Sequence, residues 1–157
     1  MLDRRRFLTV LGTSGAALVA GQVFAQAALP KVVVTKDPSC GCCGGWVDHM
    51  KAAGFPVEVV TTPQVNRVKA RLGVPDELAS CHTAEVGGYV IEGHVPAGAV
   101  KHLLAEKPQA KGLAVPGMPV GSPGMEVQGA APDVYEVVLF GPSGQTTFVR
   151  YQGTRQV

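Results

Sequence analysis

The sequence predicts an α/β fold, a small sandwich in which helices flank a central sheet. Strand-like and helix-like segments alternate through the first half of the chain, and a hairpin signal closes the second half. The chain has 157 residues, of which 46% are hydrophobic, and this is enough for one domain with its own core. Residues 28–157 are therefore predicted to form a single domain behind a short leader.

The first four elements are predicted in the order β-α-β-α. They are a strand at Lys31–Thr35, a helix at Gly44–Ala53, a strand at Val57–Thr61, and a helix that starts at Thr62-Pro63 and ends at Gly73. Val32-Val33-Val34 is a β-branched run typical of a buried strand, and Gly73 suits the C-terminal stop of a helix. This order is thioredoxin-like and favours a mainly parallel sheet with helices on its faces.

The second half is predicted to contain a strand, a helix, a long loop and a hairpin. The strand lies at Tyr89–Glu92, and the helix begins at Pro96. Residues 107–132 show no periodicity, and 10 of these 26 residues are Gly or Pro, which predicts a long loop that is either functional or disordered. The apolar runs Tyr135–Phe140 and Thr146–Tyr151 flank Gly-Pro-Ser-Gly and predict the hairpin.

Residues 1–27 have the features of an export signal. Three arginines at positions 4–6 precede an apolar stretch from Phe7 to Phe24, and small residues suited to signal cleavage follow it. The Arg-Arg-Arg-Phe-Leu segment is similar to the twin-arginine motif, so we expect export to the periplasm by that route.

The leader also explains the net charge of +2. Because it holds three Arg and one Asp, the rest of the chain carries 11 basic and 11 acidic residues and is neutral. A neutral body without a basic run argues against nucleic acid as a partner. No second apolar stretch of membrane-spanning length follows, so no membrane span is expected in the mature form.

The four cysteines point to the chemistry. Cys40-Gly41-Cys42-Cys43 lies between the first strand and the first helix, and Cys81 follows the second helix. Cys40 and Cys43 form a C-x-x-C at a helix N-terminus, as in a dithiol redox site. Cys42 fits that interpretation poorly, because a third thiol between the redox pair invites scrambling. Three sulfurs within four residues suit Cu(I), whose ions thiolates can bridge. A zinc site and two structural disulfides are the alternatives.

Further candidate ligands lie outside this cluster. His82 follows Cys81 in a predicted loop, and His94 follows the third strand, where α/β folds place ligands. A solvated surface histidine is the alternative for each. In the long loop, Met118 and Met125 each follow a Pro-Gly pair. Their thioethers suit Cu(I) without deprotonation, or the two side chains act as hydrophobic pins that hold the loop on the body.

Together these motifs resemble the CopG-like periplasmic metal-binding proteins. The resemblance rests on Cys40-Gly-Cys-Cys, Cys81-His82-Thr83, Gly87–Pro96 and Gly112–Glu126. It implies a thioredoxin-like fold, a role in copper resistance, and copper held by the cysteines. The ligand candidates that match the family motifs are Cys40, Cys42, Cys43 and Cys81.

We therefore expect an exported protein that holds one or more Cu(I) ions in a cysteine thiolate site, with zinc as the alternative metal. The residues expected to close or gate this site are Met118, Met125, His82 and His94. No catalytic residue is assigned in this interpretation. The alternative is a thiol-disulfide or copper-dependent oxidoreductase in which Cys40 and Cys43 are the redox pair. A copper pump or another periplasmic copper protein is the expected partner.

Overall fold

The computed structural model describes residues 28–157 and shows a mixed α/β fold. In this part of the chain, three α-helices accompany one eight-stranded sheet. The helices are α1 (Cys42–Ala52), α2 (Val65–Leu72) and α3 (Ala97–Glu106). The strands are β1 (Val32–Lys36), β2 (Val57–Thr61), β3 (His82–Val86), β4 (Tyr89–Glu92), β5 (Gly112–Ala114), β6 (Val134–Gly141), β7 (Gly144–Gln152) and β8 (Arg155–Gln156). The export signal expected at residues 1–27 lies outside the described residues.

The strands lie in the order β2-β1-β3-β4-β5-β6-β7-β8. In residues 28–157, β1 with β2 and β4 with β5 are parallel, whereas the other five neighbouring pairs are antiparallel. The expectation of a mainly parallel sheet is therefore wrong. The sequence pattern places Cys81-His82 in a loop, whereas His82 begins β3, a strand that runs antiparallel to both of its neighbours. That strand turns directly into β4 through Gly87 and Gly88, which both have positive φ.

The Gly/Pro-rich segment at residues 107–132 contains a strand that its composition concealed. β5 pairs in parallel with β4 and antiparallel with β6, so it lies inside the sheet. Leu113, Ala114 and Val115 are completely buried. A three-residue strand that is covered on both faces shows no alternation of apolar and polar residues. The prediction that residues 107–132 form one continuous loop is therefore wrong at Gly112–Ala114.

The central strands of the sheet are covered on both faces, whereas β2 at its edge is mostly exposed. The main core combines residues of α1 and α3, including Trp46, with Ile91 of β4 and Leu113 of β5. Because side chains alternate along a strand, Val90 and Ala114 point to the opposite face, where they form a smaller cluster beside the end of α2. Among residues 28–157, no helix has the length and apolarity that crossing a membrane requires.

His49 of α1 fixes the start of α3. Its Nε2 atom accepts a hydrogen bond from the backbone N–H of Ala97 at 3.0 Å, which requires an unprotonated ring nitrogen. Burial lowers the pKa of His49, and the charge of Glu126 opposes that shift only in part. The neutral ring therefore connects the two helices that cover the main core.

The buried position of β5 is testable by replacing Leu113 with Ala. We expect a loss of about 2–5 kcal/mol in the free energy of unfolding, because a fully buried leucine leaves a cavity. The measurement is urea unfolding followed by circular dichroism. Val134→Ala is the control, since Val134 is 61% exposed in β6, and its effect should stay within about 0.5 kcal/mol. Equal effects of the two substitutions would contradict the placement of β5.

The His49 contact predicts a dependence of stability on pH. Folding lowers the pKa of His49, so the neutral ring contributes to the free energy of unfolding. This contribution is complete above the unfolded pKa of about 6.5 and is lost as the pH falls below it. Because the unfolded pKa of about 6.5 lies in this interval, we expect the free energy of unfolding to fall as the pH is lowered from about 7 to about 5.5. Unfolding titrations of His49→Gln should show a smaller fall over the same interval. An identical pH dependence in the two proteins would disprove the neutral contact.

Candidate metal centre

The first cysteine segment, residues 40–43, lies where β1 ends and α1 begins. The Lys36 ammonium holds this segment by donating hydrogen bonds to the backbone oxygens of Asp37 and Cys40, each at 3.1 Å. Since α1 begins at Cys42, the unpaired N–H groups of its first turn also lie here. The lysine and the helix N-terminus make the surroundings positive, which favours negative charge at this end of the sheet.

All four cysteine sulfurs meet at this end. Cys40 and Cys43 form a disulfide, whereas Cys42 and Cys81 are free thiols within the described part of the chain. The Sγ atom of Cys42 lies 3.5 Å from that of Cys40 and 3.9 Å from that of Cys81, and Cys43 Sγ lies 3.7 Å from Cys81 Sγ. The four sulfurs lie within 4.8 Å of one another. The structure therefore brings together all the cysteines that the sequence singled out.

His94 also reaches this cluster, and its ring orientation is defined. Its Nδ1 atom lies 2.8 Å from the backbone oxygen of Pro123, which can only accept, so Nδ1 carries the proton. In the neutral ring, Nε2 then presents its lone pair to the Sγ atom of Cys81, 3.0 Å away. His94 is completely buried, which excludes the alternative of a solvated surface histidine.

His82 is the second buried histidine of the site. Its Nδ1 atom lies 3.4 Å from Cys81 Sγ, and its ring contacts Trp46 with the two ring centroids 4.5 Å apart. The Nε2 atom has no hydrogen-bond partner among the described residues. A buried, unpartnered ring nitrogen is costly, and it is an available donor atom for a metal ion. Ligand atoms of Cys81, His82 and His94 all lie within 4.8 Å of one another.

Burial controls the protonation of these groups. It raises the pKa of Cys81 to about 11, and the neighbouring Cys42 adds to that shift. Burial lowers the pKa of His82 far below its usual range, and the nearby His94 reinforces this. Burial also lowers the pKa of His94. Both imidazoles are therefore neutral at pH 7, which is the form that binds metal, whereas Cys81 must release its proton to a metal ion.

The Gly/Pro-rich segment packs against the cysteines with its backbone. Gly124 has φ of +85°, and a Cβ atom on it would lie 2.6 Å from the backbone nitrogen of Trp46 and 2.7 Å from the oxygen of Cys42. Since Pro123 also accepts the His94 hydrogen bond, the loop covers one side of the site. Met125 is half-buried. Met118 is 54% exposed, which excludes the hydrophobic pin as its role.

Sequence reasoning missed two charged residues beside the site. Glu92 at the end of β4 and Lys69 of α2 form an ion pair that is almost completely buried. The Oε1 atom of Glu92 also accepts a hydrogen bond from the backbone N–H of Ser80 at 2.6 Å, next to Cys81. The burial of Lys69 could have been inferred from its spacing. Lys69 lies four residues after the apolar Val65, so both residues share the inner face of α2.

The donor atoms present fit a soft metal ion. Thiolate sulfur and neutral imidazole nitrogen are the ligands that Cu(I) and zinc prefer, and this end of the sheet supplies four sulfurs and two imidazoles. Two of these sulfurs, those of Cys40 and Cys43, are joined in a disulfide and become thiols only when it is reduced. His82 meets the sulfurs through Nδ1, which lies 3.4 Å from Cys81 Sγ, and its buried Nε2 atom has no hydrogen-bond partner in residues 28–157.

Two adjacent glycines of α1 offer a matched test of the loop contact. A Cβ atom at Gly45 would lie 2.8 Å from the Cα atom of Gly124, whereas one at Gly44 would have nothing within 4 Å. We expect Gly45→Ala to displace the loop and to speed alkylation of the reduced Cys42 and Cys81 thiols. Gly44→Ala should leave these rates unchanged and stabilise α1 by about 0.5–1 kcal/mol. Equal alkylation rates in both variants would show that the loop does not cover the site.

The chain is similar to known proteins in sequence and in fold. A family model described as a protein of unknown function, DUF411, matches residues 78–125. A search of curated proteins found no match. A solved structure of copper resistance protein CopG, form 1, is 43% identical, covers 80% of this chain and 99% of its own, and superposes with a TM-score of 0.73. Form 2 is also 43% identical, with coverages of 78% and 98% and a TM-score of 0.74. At this identity, over nearly the full length of those chains, the chain belongs to the CopG family of copper resistance proteins.

Proposed function

We propose that this protein binds Cu(I) through the thiolates of its four cysteines and thereby limits copper toxicity. The observation that carries this proposal is the convergence of the four Sγ atoms within 4.8 Å. Thiolates can bridge several Cu(I) ions, so a cluster this compact suits more than one ion. The solved relatives are copper resistance proteins, which supports copper over the alternative, zinc.

Two histidines and two methionines complete the proposed site. His94 and His82 offer neutral ring nitrogens beside Cys81. Met118 and Met125 lie in the loop that packs on the cysteines through Gly124. Because a thioether binds Cu(I) without losing a proton, these methionines close or gate the site, and the loop serves as its lid.

Loading with Cu(I) requires a reduction. A dithiol reductant donates two electrons and two protons to the Cys40–Cys43 disulfide, which yields two thiols while the reductant becomes a disulfide. The thiols then lose their protons as Cu(I) binds. Oxidation of the pair would remove two thiolates and release copper.

The proposal includes the cellular setting and the finer fold class. The leader at residues 1–27 supports export to the periplasm by the twin-arginine route. There, a copper pump or another copper protein is the proposed exchange partner. The element order from β1 to α3 is β-α-β-α-β-β-α, and the sheet order begins β2-β1-β3-β4, which supports a thioredoxin-like arrangement.

The second candidate is a thiol-disulfide or copper-dependent oxidoreductase. It is favoured by the disulfide between Cys40 and Cys43, the outer residues of a C-x-x-C at the start of α1. In this function the pair would exchange electrons with a substrate, and Cys42 would be dispensable.

Anaerobic Cu(I) titration, combined with a free-thiol count, tests the main proposal. We expect the fully reduced protein to bind more than one Cu(I) per chain, because four thiolates are then available. The form that keeps the Cys40–Cys43 disulfide should bind fewer ions, and Cys42→Ser should also lower the number. His102→Gln is the control, since His102 is exposed on α3 and pairs with Glu106.

At most one Cu(I) per chain, unchanged by Cys42→Ser, would contradict the thiolate cluster. If the metal-free protein instead reduced or isomerised disulfides catalytically, and Cys43→Ser abolished that activity, the second candidate would replace the first.

A further inference from the structure

The buried ion pair between Lys69 and Glu92 is unusual in its position. Lys69 is 4% exposed and Glu92 is completely buried, although both belong to residue types that are mostly found at the surface. Removing two charges from water costs several kcal/mol per ion, and a buried pair seldom recovers more than that cost. Fold stability is therefore a weak explanation for the presence of this ion pair. The other contacts of Glu92 indicate a different role.

Those contacts lead directly to Cys81. The Oε1 atom of Glu92, which faces Lys69, also accepts the backbone N–H of Ser80 at 2.6 Å. Ser80 then donates from Oγ to the backbone oxygen of Gly117 at 2.6 Å. One carboxylate thus connects α2 to the segment that carries Cys81, and through Ser80 to the loop that covers the site.

The packing around Ser80 leaves the segment that carries Cys81 little room to move. Gly93 follows Glu92 with φ of +72°, and a Cβ atom on it would lie 2.7 Å from Ser80 Cβ and 2.6 Å from the backbone oxygen of Val115. The sulfur of Cys81 lies 3.7 and 3.9 Å from those of Cys43 and Cys42. A shift of Ser80 by one ångström would change these separations.

We propose that Glu92, held by Lys69, is a positioning residue that fixes Cys81 against the other cysteines. This inference rests on the proposed function, because the positioned sulfur is one of the proposed Cu(I) ligands. The carboxylate anchors the Ser80 N–H, and the lysine fixes the carboxylate in a place where no water competes. Glu92 does not itself bind the metal in this role.

Two double variants separate positioning from stability. Lys69→Met/Glu92→Leu removes both charges and the acceptor for the Ser80 N–H, whereas Lys69→Met/Glu92→Gln keeps an amide oxygen that can accept it. Replacing a buried ion pair with apolar residues is often neutral or stabilising, so the Leu variant is expected to keep its urea midpoint. Glu58→Gln is the surface control, because it breaks the exposed Lys31–Glu58 pair.

The first readout is the alkylation rate of Cys81 divided by that of Cys42 in reduced, metal-free protein, measured by mass spectrometry. The second is Cu(I) affinity in competition with a chromophoric chelator. In the Leu variant we expect the ratio to rise and the affinity to fall about tenfold, as for the loss of one hydrogen bond to a charged group. The Gln variant should restore both values toward the parent, and Glu58→Gln should change neither.

An unchanged ratio and affinity in the folded Leu variant would overturn the inference, and so would equal effects of the Leu and Gln variants. If the Leu variant does not fold, Lys69→Met/Glu92→Met takes its place, because methionine is as unbranched as glutamine but lacks the acceptor oxygen, and no buried charge is left unpaired: a raised ratio supports positioning and an unchanged ratio refutes it. The alkylation ratio needs no copper. Failure of the parent to bind Cu(I) would therefore refute the proposed function while the ratio still tests the positioning.

Discussion

In the antiparallel ladder between β1 and β3, Lys36 at the end of β1 lies opposite His82 at the start of β3. This pairing places the segment at residues 40–43 beside Cys81, although about forty residues separate them along the chain. Every other feature of the candidate site depends on that register. A slip of one residue would turn His82 to the other face of the sheet and move Cys81 away from the cysteines of α1.

The site is assembled from polar groups that burial would otherwise penalise. His82, His94 and Glu92 are completely buried, and His82 keeps a ring nitrogen without a partner in the described residues. Burial holds both imidazoles neutral and Cys81 protonated, so the metal-free site carries little charge of its own. Glycine at position 124 lets the covering loop approach the cysteines by backbone alone, without filling the site with side chains.

Local features were predictable because they depend on neighbouring residues. Val57–Thr61 and Tyr89–Glu92 have the bounds expected from their β-branched and apolar runs. Gly73 ends α2 in the left-handed conformation, as its position in the sequence indicated. The three-plus-one arrangement of cysteines indicated a sulfur site, and all four sulfurs do converge. The strands β3 and β5 escaped prediction because β3 begins directly after Cys81, at the histidine of a Cys-His pair, and β5 has only three residues in a Gly/Pro-rich segment.

The sequence by itself determined which residues could bind a soft metal, since thiol and imidazole chemistry belongs to the residue type. Only the tertiary structure decided which of them meet. It paired Cys40 with Cys43, left Cys42 and Cys81 as thiols, and directed His94 to Cys81 while Met118 remained exposed. It also buried Lys69 against Glu92, which no local pattern specifies. The physical reason is that these contacts join distant segments across a mostly antiparallel sheet, and their geometry follows from strand register and packing rather than from spacing along the chain.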